Sequence, residues 1–252
     1  MSATVHASAI VDASAELGDG VEVGPYAIVE ARASLGAGTV LHAHAIVAAG
    51  ARLGARNVVH PFAVIGAAPQ AFKYAGEPTV TEIGDDNVFR EHVTVHRGTA
   101  HGGGVTRVGS RGLFMVGCHV AHDCKLGDDL QLANATLLGG HVDIASGVVS
   151  GGGVAIAPFV RVGTRAFLAG GAMVERDVPP YVIAAGDRAR VRALNKVGLA
   201  RAEVPVASRV ALERAFRAIF REGPRLSAAR ALAADADPFV RELAASVLAS
   251  RR

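Results

Sequence analysis

The segment His119-Val120-Ala121-His122-Asp123-Cys124 gathers side chains suited to moving a proton near pH 7, with His96-Arg97-Gly98-Thr99 upstream and Gly139-Gly140-His141 downstream. Neutral imidazole is the usual general base for activating a weak nucleophile such as a hydroxyl. His122 stands out because Asp123 follows it: a carboxylate can orient the ring or stabilise the imidazolium, as in a catalytic triad. His119, His122 and His141 can instead be read as metal ligands, and His96, His119 and His141 also fit plain structural or polar roles. The two cysteines, Cys118 and Cys124, form neither a paired zinc pattern nor a disulfide framework, so a reducing, cytoplasmic setting is expected.

A repeat of six is what can hold these residues together. From Val5, every sixth residue is a branched aliphatic: Val5, Val11, Leu17, Val23, Val29, Leu35, Leu41, Val47, Leu53, Val59 and Ile65. Glycine follows several of them, as at Gly18 and Gly36, and a mostly small residue such as Ala27 or Ala63 lies two positions before. Neither a helical nor an alternating period gives this register. A period of six means short strands joined by tight corners, with one large side chain pointing inward and a small one beside it. The register pauses over residues 67–82, resumes at Ile83, Phe89 and Val95, and breaks again over the Gly-rich residues 98–107. It then runs from Val108 to Val174, with only Ser150 not large and apolar. Such strands are too short to bury a face alone, so coils stacked about 4.8 Å apart must supply both the backbone hydrogen bonds and the core. Three hexads make an 18-residue coil, and His141 lies 19 residues after His122, about one coil higher on nearly the same edge. The two interruptions are expected to project as loops, where function concentrates on a rigid scaffold.

The hexads end at Asp177-Val178-Pro179-Pro180-Tyr181, since prolines cannot donate to a ladder. The expected organisation is a β-helix domain over 1–187 and a small helical domain over 188–252. Within the latter, a helix over 208–222 takes Ser208 as its cap, with Leu212, Phe216, Ile219 and Phe220 on one face and Gly223-Pro224 as its stop. Short helices follow near 226–234 and 238–249. Charge divides in the same way, with +8 on residues 188–252 and −5 on residues 1–187. Arg214, Arg217 and Arg221 offer a basic surface to an acidic partner. No aromatics are interleaved for base stacking, which argues against nucleic acid. No run of about 18 apolar residues argues for membrane insertion, and the N-terminus lacks the blocks of a secretion signal.

Hexads of the form [Leu/Ile/Val]-Gly-x-x-x-x resemble those of the left-handed parallel β-helix acyltransferases. The handedness comes from that resemblance, because general crossover rules favour the other hand. More specific segments are Pro69-Gln70-Ala71-Phe72-Lys73-Tyr74-Ala75-Gly76-Glu77-Pro78-Thr79 in the first loop, His96-Arg97-Gly98-Thr99, His119-Val120-Ala121-His122-Asp123-Cys124, Gly139-Gly140-His141 and Asp177-Val178-Pro179-Pro180-Tyr181-Val182-Ile183. Together they resemble the UDP-N-acetylglucosamine O-acyltransferase family, which opens lipid A synthesis, over nearly the whole chain. The resemblance implies transfer of a (3-hydroxy)acyl chain from acyl carrier protein to the 3-position of a UDP-sugar, without cofactor or metal, by a homotrimer. It makes His122 the base and the Gly140 backbone N–H the oxyanion donor. It places His96, His119 and His141 along a cleft between subunits in contact with substrate. Lys73 and Arg201 match positions contacting nucleotide phosphates and the carrier-bound donor, where cations make chemical sense. Asn195 matches a nucleotide contact, and Gly170 the position limiting acyl-chain depth, where a glycine leaves room for a long chain or simply makes a tight corner.

The chain departs from the family pattern around the acceptor. Ala71 stands where an acidic residue is usual, Ala157-Pro158 where His-Gln is usual, Val197 where Glu is common and Ala202 where a second Arg is common. A 3-amino sugar nucleotide, giving an amide, therefore fits nearly as well. Rival readings are a related N-acyltransferase, a γ-class carbonic anhydrase using the histidines on a metal, and a non-catalytic β-helix binding protein. The N-acyltransferases usually carry an extra N-terminal domain, and hexads starting at Val5 argue against one.

Overall fold

In a computed structural model describing residues 2–250, the chain is mainly β: a left-handed parallel β-helix followed by a hairpin and four helices. Most strands are two residues long, and they assemble into three sheets of 11, 9 and 8 strands forming the faces of a triangular prism. Each strand pairs in parallel with the one a coil later, as in Val5↔Val23 and Val23↔Leu41. The second residue of each strand points inward, so the hexad aliphatics from Val23 to Val174 fill the core beside Ala27, Ala33, Ala45, Ala51 and Ala63. Close approach of successive coils explains the hexad glycines: a Cβ on Gly36 would meet the Gly54 carbonyl carbon at 2.4 Å. Several corners also hold non-glycine residues at positive φ, among them Asp123, His141 and Phe159, a region that Asp and His enter more readily than most residues.

The two interruptions leave the stack in register apart from a bulge between Ile65 and Ala67. Val58 pairs with Val88 across the first loop, and Thr94 with His119 across the second. Strands Val80–Ile83 and Val105–Val108 trim both expected loops at their C-terminal sides. At the corner before the first sheet, two interior asparagines brace neighbouring coils. Asn57 Oδ1 accepts from both the backbone and the amide of Asn87, and Asn87 in turn bonds Gly109 O and Gly112 N. Ser150, the polar hexad residue, is buried but satisfied by the Thr136 hydroxyl and Ala133 N.

The end of the prism differs from the helical tail expected after residue 187. Val182–Ala185 still pairs in parallel with Phe167–Leu168, and Arg190–Leu194 then folds back antiparallel against it, capping the first sheet. Helix α1, Lys196–Arg201, was not anticipated and starts at Asn195. Helix α2 spans Val206–Phe220, so Ser208 is not its cap but a buried residue inside its first turn. Pro205, whose ring restricts φ, occupies the cap position instead. Helices α3, Arg225–Leu232, and α4, Pro238–Ala249, match expectation, the latter capped by Asp237. The tail shares one core with the prism through Leu199, Leu212, Phe216, Ile219, Val240 and Leu243. Glu242 also accepts hydrogen bonds from Thr164 and Tyr181. No described helix is long and apolar enough to cross a membrane.

Replacing Asn87 with Ala removes hydrogen bonds to buried partners on the two neighbouring coils, each unsatisfied group costing about 1–3 kcal/mol. Asn87→Ala is expected to lower unfolding stability by about 3 kcal/mol or more, read from urea unfolding; a change below about 0.5 kcal/mol would show that the bracing is dispensable.

Candidate active site

Asp123, His141 and Phe159 occupy the same left-handed corner position on three successive coils, between the second and third faces of the prism. The stacking puts His141 flat on Phe159, with centroids 4.4 Å apart, and edge-on to His122 at 5.3 Å. His122 Nδ1 lies 2.8 Å from Asp123 Oδ2. His141 Nε2 lies 3.7 Å from the same oxygen. The Asp123 side chain is 0% exposed, whereas that of His122 is 21% exposed. A buried carboxylate needs donors to stay charged. The second loop provides them: Thr99 N–H donates to Oδ1 and the Thr99 hydroxyl to Oδ2. The Asp123 N–H in turn donates to the Thr106 hydroxyl. Gly102 closes over the carboxylate so tightly that a Cβ there would lie 2.1 Å from Asp123 Cγ. With Nδ1–H held by Asp123, Nε2 is the nitrogen left with a lone pair, which is the tautomer a base requires.

Gly140 lies beneath the imidazole, where a Cβ would come within 2.7 Å of His122 Cε1. Its carbonyl accepts from Phe159 N, while its N–H has no acceptor among the described residues. On the adjoining face His119 Nδ1 bonds the Thr94 hydroxyl, and His96 meets His119 edge-on at 4.8 Å. Burial first, then the charges of His119 and His122, hold His96 down at about 4. Burial and His122 likewise lower His119. His96 Nδ1 is buried without a partner. Cys118 and Cys124 are buried free thiols; burial pushes Cys124 up to about 12, so it is no nucleophile.

The first loop walls this corner. Ala71, Phe72, Lys73, Tyr74 and Glu77 face Thr99, Ala100, His101 and His122 across a groove of about 200 Å³. On the other side of Asp123 and His141, Lys125, Asp143, Phe159, Arg161 and Asp177 line a hollow of about 370 Å³. The structure thus gathers His122, Asp123, Gly140, His141 and Lys73 at one corner, with His96 and His119 adjoining. It does not bring Asn195, Arg201 or Gly170 there. Asn195 and Arg201 line a separate pocket of about 650 Å³ with Val149, Phe167, Val197 and Ala202. Asn195 is 8% exposed and its amide caps α1 through Gly198 N while donating to Arg165 O. Gly170 lies at a third corner, with neither positive φ nor any atom within 3.4 Å of a built Cβ except Gly152 O at that distance. Backbone strain therefore does not demand a glycine at 170.

Thr99, Thr106 and Gly102 were not singled out from sequence. Their link to Asp123 spans a loop of undefined shape, and only the Gly-rich composition of 98–107 hinted at a close approach.

Residues 177–252 match the family model described as UDP N-acetylglucosamine O-acyltransferase, domain 2. An acyl-[acyl-carrier-protein]--UDP-N-acetylglucosamine O-acyltransferase from Alkalilimnicola ehrlichii is 51% identical over 97% of this chain and 96% of its own. The chain belongs to the UDP-N-acetylglucosamine O-acyltransferase family. A second such relative, from Halorhodospira halophila, is 50% identical over 90% of this chain and 88% of its own. Among solved structures, a UDP-N-acetylglucosamine acyltransferase from Campylobacter jejuni superposes with a TM-score of 0.95 at 34% identity, covering 99% of this chain and 98% of that one. Membership of this acyltransferase family bears out the resemblance carried by the loop and His-x-x-His-Asp-Cys segments, and with it the left-handed hand of the prism.

Two outcomes follow from this geometry. Thr99→Val removes the hydroxyl donor to Asp123 while keeping size, and is expected to lower kcat roughly 10-fold with little change in KM; an unaltered kcat would detach Thr99 from the base. For His96, the folded state binds fewer protons than the unfolded chain between about 4 and the ordinary 6.5. Its contribution to stability is therefore complete above 6.5 and is lost as pH falls toward 4. Urea unfolding measured across that window should show a decline that is shallower in His96→Asn.

Proposed function

We propose that the chain transfers an acyl group, in the family's manner a 3-hydroxyacyl chain, from acyl carrier protein to the 3-hydroxyl of UDP-N-acetylglucosamine, with His122 as general base. The observation carrying this is the partly exposed His122 ring held on a wholly buried Asp123 beside the unpaired N–H of Gly140. The sugar hydroxyl gives its proton to His122 Nε2 as its oxygen attacks the thioester carbonyl. Asp123 stabilises the imidazolium that forms. The carbonyl oxygen, now negative, takes the Gly140 N–H. Collapse breaks the carbon–sulfur bond, and the departing thiolate recovers the proton from the imidazolium, leaving an ester and a free carrier thiol. Lys73 at the groove and Arg201 in the larger pocket are suited to anionic phosphates. The unpartnered His96 Nδ1 is suited to a substrate hydrogen bond.

A homotrimer fits this reading. His122 and the Asn195–Arg201 pocket sit on different corners of one prism, and packing three prisms side by side lets one chain's corner face its neighbour's pocket. Gly170, unobstructed at its own corner, suits an acyl chain lying along the prism. Arg192, Lys196, Arg217 and Arg221 border a groove beside α2 suited to the acidic carrier; a cytoplasmic location follows from such a partner. The 3-amino acceptor remains the second reading, because Ala71 lines the His122 groove and Val197 and Ala202 line the larger pocket, all without polar groups.

His122→Ala is expected to cut acyl transfer about 10²–10⁴-fold with an unchanged melting curve; retained activity removes His122 from the mechanism. Mixing inactive His122→Ala and Arg201→Ala chains by co-refolding should restore part of the activity if sites are shared between subunits. Mass spectrometry of products from both acceptor sugars, with alkali to cleave esters but not amides, decides oxygen against nitrogen as the acylated atom.

A further inference from the structure

The corner that orients the base has a second capacity. His122, Asp123 and His141 each offer one ligand atom, and all three atoms lie within 4.8 Å of one another. Arms of about 2.0–2.2 Å to a tetrahedral ion place neighbouring ligand atoms about 3.3–3.6 Å apart. The measured separations of 2.8 Å for His122 Nδ1 and 3.7 Å for His141 Nε2 from Asp123 Oδ2 bracket that value. With all three ligand atoms within 4.8 Å of one another, side-chain displacements of up to about 1 Å would seat an ion. The ligand types, two imidazoles and one carboxylate, suit zinc rather than magnesium or calcium.

We propose that His122, Asp123 and His141 form a reversible site for a zinc-class divalent cation, and that its occupation switches off the general base. The ion is an exogenous inhibitor and not a resident cofactor. Access is from the hollow of about 370 Å³ lined by Asp123 and His141, where Lys125 and Arg161 are matched by Asp143 and Asp177. Thr99 keeps its N–H on Asp123 Oδ1, so the carboxylate stays anchored while Oδ2 turns from hydrogen-bond acceptor to ligand. The inhibition follows from the tautomer. In the resting site the His122 proton sits on Nδ1, facing Asp123, and Nε2 is basic. An ion at Nδ1 needs that lone pair, so the imidazole proton moves to Nε2. The ring then carries an N–H where the substrate hydroxyl needs an acceptor, with no proton gained or lost by neutral His122. A fourth coordination position remains open toward the hollow for water.

The inhibitory half rests on the acyl-transfer reading, but the binding half does not, and the two are measured separately. Cobalt(II) added to metal-free full-length protein should bind with one ion per chain and produce the visible absorption of a tetrahedral site, and zinc should displace it. Zinc calorimetry on His141→Ala should show affinity lowered by at least the roughly 10–100-fold that loss of even an outer-shell partner brings. A close imidazole pair away from this corner, His42 and His60, with centroids 4.8 Å apart, serves as the control. The double substitution His42→Ala with His60→Ala should leave binding unchanged. Acyl transfer should fall with zinc occupancy and return on adding a chelator. Absence of binding, or binding untouched in His141→Ala, overturns the site. Binding at the site without loss of transfer overturns the inhibition, and then it is the base role of His122 Nδ1–Nε2 tautomerism that fails.

Discussion

Parallel stacking of 18-residue coils is the constraint from which the rest of this structure follows. Because each backbone strand bonds to the coil above and the coil below, no coil can change length on a face without breaking two ladders at once. Extra residues can leave only at corners, which is where both loops emerge. The same rule turns sequence spacing into columns. Residues a coil apart lie above one another, so Asp123, His141 and Phe159 form a vertical file, as do His122 and Gly140 beside it. A rigid file of this kind holds side chains in place without relying on the mobility of a loop.

Asp123 is the joint between that scaffold and the second loop. An ionised carboxylate with no solvent contact is expensive unless its oxygens are filled. The corner alone fills one position, through His122. The remainder comes from the second loop, where Thr99 donates twice and Gly102 packs directly against the carboxylate. The Gly-rich loop therefore acts as the seat of Asp123: Gly98 and Gly102 permit close approach, and Gly103 and Gly104 supply the positive φ of its turn. Burial of His96 and His119 keeps neighbouring imidazoles uncharged, so the site is not crowded by competing positive charge.

The helical tail has two roles that share one cause. It blocks the open end of the prism, where the hairpin Val182–Ala185 and Arg190–Leu194 would otherwise leave an unpaired edge. It also shapes the pocket containing Asn195, Val197 and Arg201 against the first face. Asn195 illustrates the overlap: its amide caps α1 and ties it to Arg165 while its position lines that pocket.

The hexad register, the two interruptions and the placing of His141 beside His122 and Asp123 were all legible in the sequence, because a one-dimensional repeat keeps neighbours in space at a fixed distance along the chain. Gly170 at a corner and His141 one coil above His122 follow from the same counting. What lay outside that counting was decided by tertiary structure. Thr99 reaches Asp123 through a loop whose path no periodicity describes. Asn195 starts a helix that its short, weakly patterned sequence did not announce, and α2 begins at Val206 with Pro205, not Ser208, at its cap. The separation of Arg201 from His122 belongs to the same class: which corner a residue occupies is readable only while the repeat runs, and beyond Ala185 the chain turns back antiparallel and leaves the parallel ladder that enforces it.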